Sequence, residues 1–431
     1  MPNYQTPGIY IEEISTGTRP IEAVGTSTAG FVGIAPNAAR HTNPDDRDDP
    51  PGAIAVNSWS QFIKEFVADK QGDIATDIKS TPLSHAVFGF FQNGGSRCYV
   101  VNIGAGGSLL GSGAAGGRQG LALFEEVDEI AIVAAPGFSD AASHGALLDH
   151  CEQMQDRFAI LDSPETVAKI DDLKKVGTPG GGRTRRTEGG ATGETSAGAS
   201  GETGGGGGGA RPRTSDRGFG AFYFPWIEVS DPFSPATTVN VPPSGHLAGI
   251  YARTDGTRGV HKAPANETVR GALDLTYRVT QAEQGELNVL GINCLRFFPT
   301  QGIRVWGART LADSASEWRY IPVRRLFNMI EESIARGTRW VVFEPNDRTL
   351  WKSIERDVRA FLTLQWRQGS LMGATAEEAF FVQCDEETNP PDVIDAGQVV
   401  VMVGIAPVKP AEFVIFRIGQ SAAGTEIEGG I

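Results

Sequence analysis

Residues 177–218 (GTPGGGRTRRTEGGATGETSAGASGETGGGGGGARPRTSDRG) carry no aliphatic side chain larger than alanine, the sharpest change of composition in the chain. Such a stretch has too little to bury against the entropy of ordering it. It is expected as a flexible surface excursion, a coil of about 40 residues spanning roughly 35 Å end to end. Two further intervals read as loops at the outside of a packed body: 37–52, with four Asp and three Pro, and 104–120, rich in Gly and Ala.

Between these loops the pattern alternates. Residues 130–134 (IAIVA) form a short apolar run closed by Pro136 and Gly137, as in a buried strand. Residues 139–157 then place Ala146, Leu147, Cys151 and Met154 at helical spacing, and 158–161 (FAIL) read as the next strand. Residues 219–229 (FGAFYFPWIEV) are expected as a further strand with a bulge or edge at Pro225. Strand, helix, strand with short joints predicts an open α/β layer. The C-terminal third predicts an α+β arrangement. Its strands are expected at 289–298, 303–306, 339–344, 379–384, 399–405 and 412–418, its helices at 323–335 and 348–368. TPGIYIEEI near the N-terminus reads as a lone extended segment that must find a partner.

A length of 431 residues suggests two or three domains, and 40% apolar content excludes wholesale disorder. The longest apolar runs are strand-sized, far short of the ~20 residues of a membrane-spanning helix. The first residues have neither a basic stretch nor an apolar core, so no secretory signal is read there. Cys98, Cys151, Cys294 and Cys384 lie far apart and show no metal-ligand spacing. A soluble protein made in a reducing cytoplasm is expected, with no membrane insertion. The net charge of −14 argues against general nucleic-acid binding.

Catalytic chemistry is not assembled in the sequence. Gly177 to Thr184 mimics a phosphate-binding loop with Arg183 in the lysine position, but Pro179 and low-complexity glycine surround it. His144 and His150 are six apart on one helix and do not share a face. The acidic clusters near 125–129 and 385–387 read as solvated element ends. No catalytic residue, cofactor or metal site is expected, and the chain does not read as an enzyme.

The helix over 348–368 is more informative. At about 100° per residue, Arg348, Lys352, Arg356, Arg359 and Arg367 share one edge, while Leu350, Trp351, Ile354, Val358 and Phe361 share the opposite face. Asp357 falls off the cationic edge, Glu355 borders it, and Asn346 with Asp347 provides an N-terminal cap. The edge is either an ordinary solvated face or a docking edge that steers an acidic partner.

Several long stretches together resemble the sheath proteins of contractile phage tails and phage-tail-like injection particles. They are YQTPGIYIEEISTGTRPIEAVGTSTAGFVG at the start, PPSGHLAGIYARTDGTRGVHKAPANETVRGA, LRFFPTQGIRVWGARTLA, RRLFNMIEESIARGTRWVVFEPND and the closing strands over 379–418. One chain carries both the opening and the closing motifs, which resembles the phage-like machine more than the two-chain secretion sheath. The resemblance implies an α+β subunit. Its inner mixed α/β domain is built from both chain ends, 1–25 and 285–431, with an outer α/β domain inserted at 26–284. It implies terminal arms exchanged as strands between subunits: Ile9, Tyr10 and Ile11 at one end, Phe413, Val414, Ile415 and Phe416 at the other. Hinges are expected near 15–17 and 407–410. Partners implied are the chain itself in six-fold rings and a helical sheath, an inner tube protein touched by the cationic edge, and baseplate and terminal cap proteins. The particle would assemble in the bacterial cytoplasm and work by shortening, without ATP. A non-contractile tube or capsid protein is the alternative.

Overall fold

The computed structural model describes residues 20–43, 46–74, 80–111, 117–178 and 209–415. The strands in chain order begin with β1 (Ala29–Gly33), β2 (Ile54–Val56), β3 (Cys98–Asn102), β4 (Ile132–Ala134), β5 (Phe158–Asp162) and β6 (Gly220–Phe224). Next come β7 (Ile227–Asp231), β8 (Ser234–Val241) and β9 (Ala272–Leu275), a small antiparallel sheet ordered β8-β7-β9. Then follow β10 (Ile292–Phe298), β11 (Gly302–Trp306), β12 (Phe380–Gln383) and β13 (Met402–Ile405). The helices of the first half are α1 (Trp59–Phe66), α2 (Pro82–Gln92), α3 (Ala141–Met154), α4 (Ile170–Lys174) and α5 (Ser244–Arg258). Those of the second half are α6 (Gln281–Val289), α7 (Ile321–Gly337), α8 (Arg348–Arg367), α9 (Ala376–Ala379) and α10 (Pro391–Asp395).

An eight-stranded sheet ordered β11-β10-β6-β5-β4-β1-β3-β2 is the scaffold, parallel throughout except for the antiparallel edges β2 and β11. Every residue of β1, β3, β4, β5 and β6 is buried, as a parallel sheet covered on both faces requires. Alternate residues divide between two cores. Phe31, Val100, Ile132, Ile160 and Tyr223 meet α1, α2 and α5, while Val32, Val101, Val133, Leu161 and Phe222 meet α3 and α6. α2 and α5 approach as closely as backbones allow: a Cβ at Gly245 would stand 2.2 Å from Ala86 Cα.

The sheet continues past the boundary expected at 284/285, which falls inside α6. β10 pairs with β6 in parallel, a contact between residues some seventy positions apart that linear composition does not display. The third core is C-terminal. Leu326, Met329 and Ile330 of α7 pack with Leu350, Trp351, Ile354, Val358, Phe361 and Leu362 of α8 and with Phe380 and Val382 of β12. Ile21 joins this core from the other end of the chain, and the Val24 N–H donates to Ser333 Oγ at 3.0 Å.

Expected elements differ in several places; residues 412–415 of the strand expected at 412–418 are in no strand. The run 219–229 is two strands in two sheets, because Pro225, joined to Phe224 by a cis peptide bond, has no N–H to continue a ladder. The strand expected at 339–344 is a single 3₁₀ turn, Arg339–Val341, followed by Phe343 at φ 70°. Its apolar residues Val342 and Phe343 lie exposed, so apolar composition there does not report core. The excursion expected over 177–218 is also narrower. Gly177 N–H donates to Arg211 O at 2.8 Å, Ser215 is fully buried, and Arg213 pairs with Asp149 and Glu152 at 2.6 and 2.7 Å. Polar tethers hold residues 209–218, which the absence of aliphatic side chains did not reveal.

The sheet body and the C-terminal core are joined by a buried ion pair. Arg325 of α7 forks onto Asp255 of α5, both side chains under 5% exposed, with the guanidinium 4.7 Å from the Tyr251 ring centre. Thr26 completes it, donating its hydroxyl to Asp255 Oδ2 at 2.6 Å and accepting from Arg325 Nη2 at 3.0 Å through its carbonyl. Removing one partner strands a buried charge, so Asp255→Ala is expected to destabilise the fold by about 3–5 kcal/mol. Asp255→Leu combined with Arg325→Met should lose less than Asp255→Ala alone. Urea denaturation of wild type, single and double variants checks both.

Candidate functional site

α8 begins where Asp347 Oδ1 accepts the Leu350 N–H at 2.8 Å, the cap expected from the sequence. Leu350, Trp351, Ile354, Val358 and Phe361 are buried in the C-terminal core, leaving Arg348, Lys352, Arg356, Arg359 and Arg367 exposed. The cations are not bare. Arg348 pairs with Glu386 at 2.8 Å, and Lys352 and Arg359 both reach Glu355, at 2.8 and 3.3 Å. Arg356 Nε donates to Asp357 Oδ1 at 3.1 Å. The Lys352 and Arg359 bonds hold the Glu355 carboxyl below its ordinary range despite some burial.

Two departures from the helical wheel matter. Glu355 lies between its cations rather than beside them, and Asp357 is buried with its Oδ2 unpartnered. Five cations against Glu355, Asp357 and Glu386 leave a formal surplus of two. Lys352, Glu355, Arg356, Arg359, Ala360 and Thr363 line a shallow groove of about 490 Å³. Arg359 also donates to the Val382 carbonyl on β12 at 3.3 Å, linking the edge to the β12–β13 ribbon.

That ribbon has two strands of four residues, Phe380–Gln383 opposite Met402–Ile405, with Phe381 and Met402 each 51% exposed. A two-stranded sheet of this length is marginal alone. Beyond it the chain passes Pro407 and Pro410 to Phe413, Val414 and Ile415, all at least 70% exposed and in no strand. Ile9, Tyr10, Ile11 and Phe416, the other residues expected in terminal arms, lie outside the described residues, as does the hinge expected at 15–17.

Several titratable groups shifted by burial point inward. His144 is pushed down to about 4 by burial and bonds the Asp162 carbonyl at 3.0 Å; His150, down to about 4 by burial, faces Arg157. Burial drives the Cys98, Cys151 and Cys294 thiols up. Among the described residues, no three His, Cys, Asp or Glu side chains gather as a metal site, and no helix is long and apolar enough to cross a membrane. Asp162 is raised to about 7 by burial, although its carboxylate accepts both the N–H and the hydroxyl of Ser244, at 2.9 and 2.6 Å, at the start of α5.

The outward features are a charged helix edge, an apolar ribbon and an apolar tail. Residues 214–311 match the phage tail sheath protein central domain and residues 313–421 the phage tail sheath C-terminal domain. The sheath of an extracellular contractile injection system, the PVC sheath complex in its contracted state, is 30% identical with a TM-score of 0.71, covering 98% of this chain and 99% of that one. The helical sheath of the anti-feeding prophage in its contracted state is 30% identical with a TM-score of 0.69, over 97% and 100%. The tail sheath protein of Vibrio phage KVP40 is 31% identical over 177 residues, 40% of this chain and 26% of the relative. A putative prophage major tail sheath protein of Pseudomonas aeruginosa is 27% identical over 45% of this chain and 49% of the relative. The chain thus spans about a quarter to a half of the length of these curated relatives, but nearly all of the solved sheath chains. It belongs to the contractile tail sheath family.

Asp162 generates a pH prediction. A carboxyl raised on folding contributes stability at low pH that is lost as the pH rises through about 7. Wild type is therefore expected to lose on the order of 2–3 kcal/mol from this group between pH 5 and pH 8. Asp162→Asn, which keeps an acceptor for the Ser244 N–H, should flatten that slope in denaturation curves at the two pH values.

Proposed function

We propose that this chain is a structural subunit of a contractile sheath. It stacks in six-fold rings around an inner tube, meets baseplate and cap proteins at the ends, and shortens on triggering to drive the tube through a target envelope. The observation that carries this reading is the β12–β13 ribbon with its exposed Phe381 and Met402 beside a tail, Phe413–Ile415, that is apolar and exposed. Strands from neighbouring copies, containing Ile9, Tyr10 and Ile11 or Phe413, Val414, Ile415 and Phe416, would widen the ribbon. Each main-chain bond contributes about 0.5–1.5 kcal/mol net, and alternate side chains set register. The division into an inner part from both chain ends and an inserted outer part draws support from Ile21 and Val24, which seat on α7 more than 300 positions away.

Contraction needs no nucleotide in this reading, because the work comes from the difference between two packings of the same subunits. Two relatives are solved as sheaths in a contracted state, which supports one of the two packings. Assembly would take place in the bacterial cytoplasm, as part of a phage tail or tail-like particle. The α8 edge is the surface offered to the tube. With a surplus of two charges it steers and registers an acidic partner more than it binds one.

Deleting residues 1–14 is expected to leave a folded, soluble subunit that does not polymerise. Long regular sheaths of that variant under electron microscopy would refute strand addition at the N-terminus. Reversing Lys352, Arg356 and Arg359 to Glu should weaken capture of the tube protein by about ten-fold or more while moving the thermal midpoint little, since exposed ion pairs contribute under about 1 kcal/mol each. Unchanged capture with a lowered midpoint would mark the edge as purely structural.

A further inference from the structure

Among the described residues, the last side-chain hold on the tail lies downstream of the prolines. The last main-chain bond tying it to the C-terminal core joins the Val408 N–H to the Ser370 carbonyl at 3.2 Å. After it residues 408–414 form one wall of a groove of about 880 Å³, whose other walls are the 258–266 loop, Gln284 and Asn288 of α6 and Trp306 at the end of β11. Pro410 has no N–H to offer there. At Glu412 four donors converge: Arg309 Nε and Nη2 at 2.8 Å each, Asn288 Nδ2 at 2.6 Å and the Tyr320 hydroxyl at 3.0 Å. The side chain is 19% exposed, whereas Phe413, the very next residue, is 71% exposed.

The Arg309 backbone is held by bonds of its own, apart from the tail. Asn293, fully buried on β10, accepts the Arg309 N–H at 2.8 Å and donates to the Arg309 carbonyl at 2.7 Å. The Arg309 fork meets the carboxylate in the paired geometry that makes such contacts strong and directional. Tyr320 sits immediately before α7, so one carboxylate joins α6, the β11–α7 connection and the start of α7. Burial opposes ionisation of Glu412, but the bonds from Arg309, Asn288 and Tyr320 overcome it and hold its carboxyl below the ordinary range.

We propose that Glu412 is a positioning residue: its carboxylate latches the chain to Arg309, Asn288 and Tyr320 and makes Phe413 the point from which the C-terminal arm leaves the subunit. This rests on the strand-exchange reading, and it moves the hinge expected at 407–410 to the far side of the latch. The geometric consequence is definite. With the latch closed, the reach of the arm is counted from residue 413. Without it the next hold is Val408, and residues 409–412 add roughly 13–14 Å of slack at 3.3–3.6 Å per residue.

Paired insertions test it in the full chain, alongside Glu412→Ala. Hydrogen exchange of the unassembled subunit should rise about ten-fold or more at the Val408 amide, the last bonded one before the latch, in Glu412→Ala, and less in Glu412→Gln, which keeps an acceptor. Unchanged exchange overturns the latch whatever becomes of the sheath reading, and Glu412→Gln carries the same measurement should Glu412→Ala not fold. A Gly-Ser insertion between Lys409 and Pro410 should leave the ring spacing of assembled sheaths as in wild type. The same insertion between Phe413 and Val414 should alter or broaden the spacing. In Glu412→Ala the upstream insertion should no longer be silent. Equal effects of the two insertions in the wild-type background overturn the positioning role while leaving strand exchange standing. If neither insertion has an effect, the arm does not link rings, and the positioning role falls with the arm.

Discussion

The ion pair between Asp255 and Arg325 is the interaction on which the arrangement of the whole subunit depends. It brings α5 of the sheet body, α7 of the C-terminal core and the Thr26 strap from the beginning of the chain to one point, from positions up to 299 residues apart. Burying both charges is costly unless geometry and extra bonds compensate. Here the fork, the Thr26 hydroxyl and carbonyl and the Tyr251 ring supply them. Such a joint is specific before it is strong, because an apolar contact would tolerate small rotations between the bodies and a buried fork does not. For a subunit that transmits force, a fixed angle between its parts is what allows a movement at one surface to appear at another.

Rigidity inside contrasts with what is left open outside. The parallel sheet is covered on both faces and its glycine-mediated α2–α5 contact leaves no slack. The β12–β13 ribbon and the tail, by contrast, carry Phe381, Met402, Phe413, Val414 and Ile415 largely in solvent. Among the described residues, folding of one chain therefore leaves apolar surface and ladder edges unused.

How much of this the sequence displays depends on the range of the contacts. β4, α3, β5, α7 and α8 are visible because each carries its own periodicity, and the Asp347 cap is visible because capping is local. α2 and α5 are silent for the opposite reason. Their mutual contact is made by Gly245, Gly249 and Gly89, which contribute no apolar signal, so neither helix shows a distinct stripe. The partner of β10 and the tethering of residues 209–218 by Arg213 and Ser215 also rest on long-range pairings. At the cationic edge the wheel placed all five cations but could not show Glu355 folding back between Lys352 and Arg359, since rotamers bend toward charges that a projection treats as fixed.

That self-pairing changes what the edge can do. A row of five free cations would attract any acidic surface at long range and at any register, and within about 8 Å at physiological salt the attraction would change little on sliding by a residue. Once Glu355 holds Lys352 and Arg359, and Glu386 holds Arg348, the surface alternates in sign. An acidic partner must then exchange with internal carboxylates at particular positions. Each exchange is nearly neutral in energy, so contact is gained only where partner and edge match. On the tube-contact proposal, an edge with small net charge and strong pattern selects register more sharply than a strongly basic one.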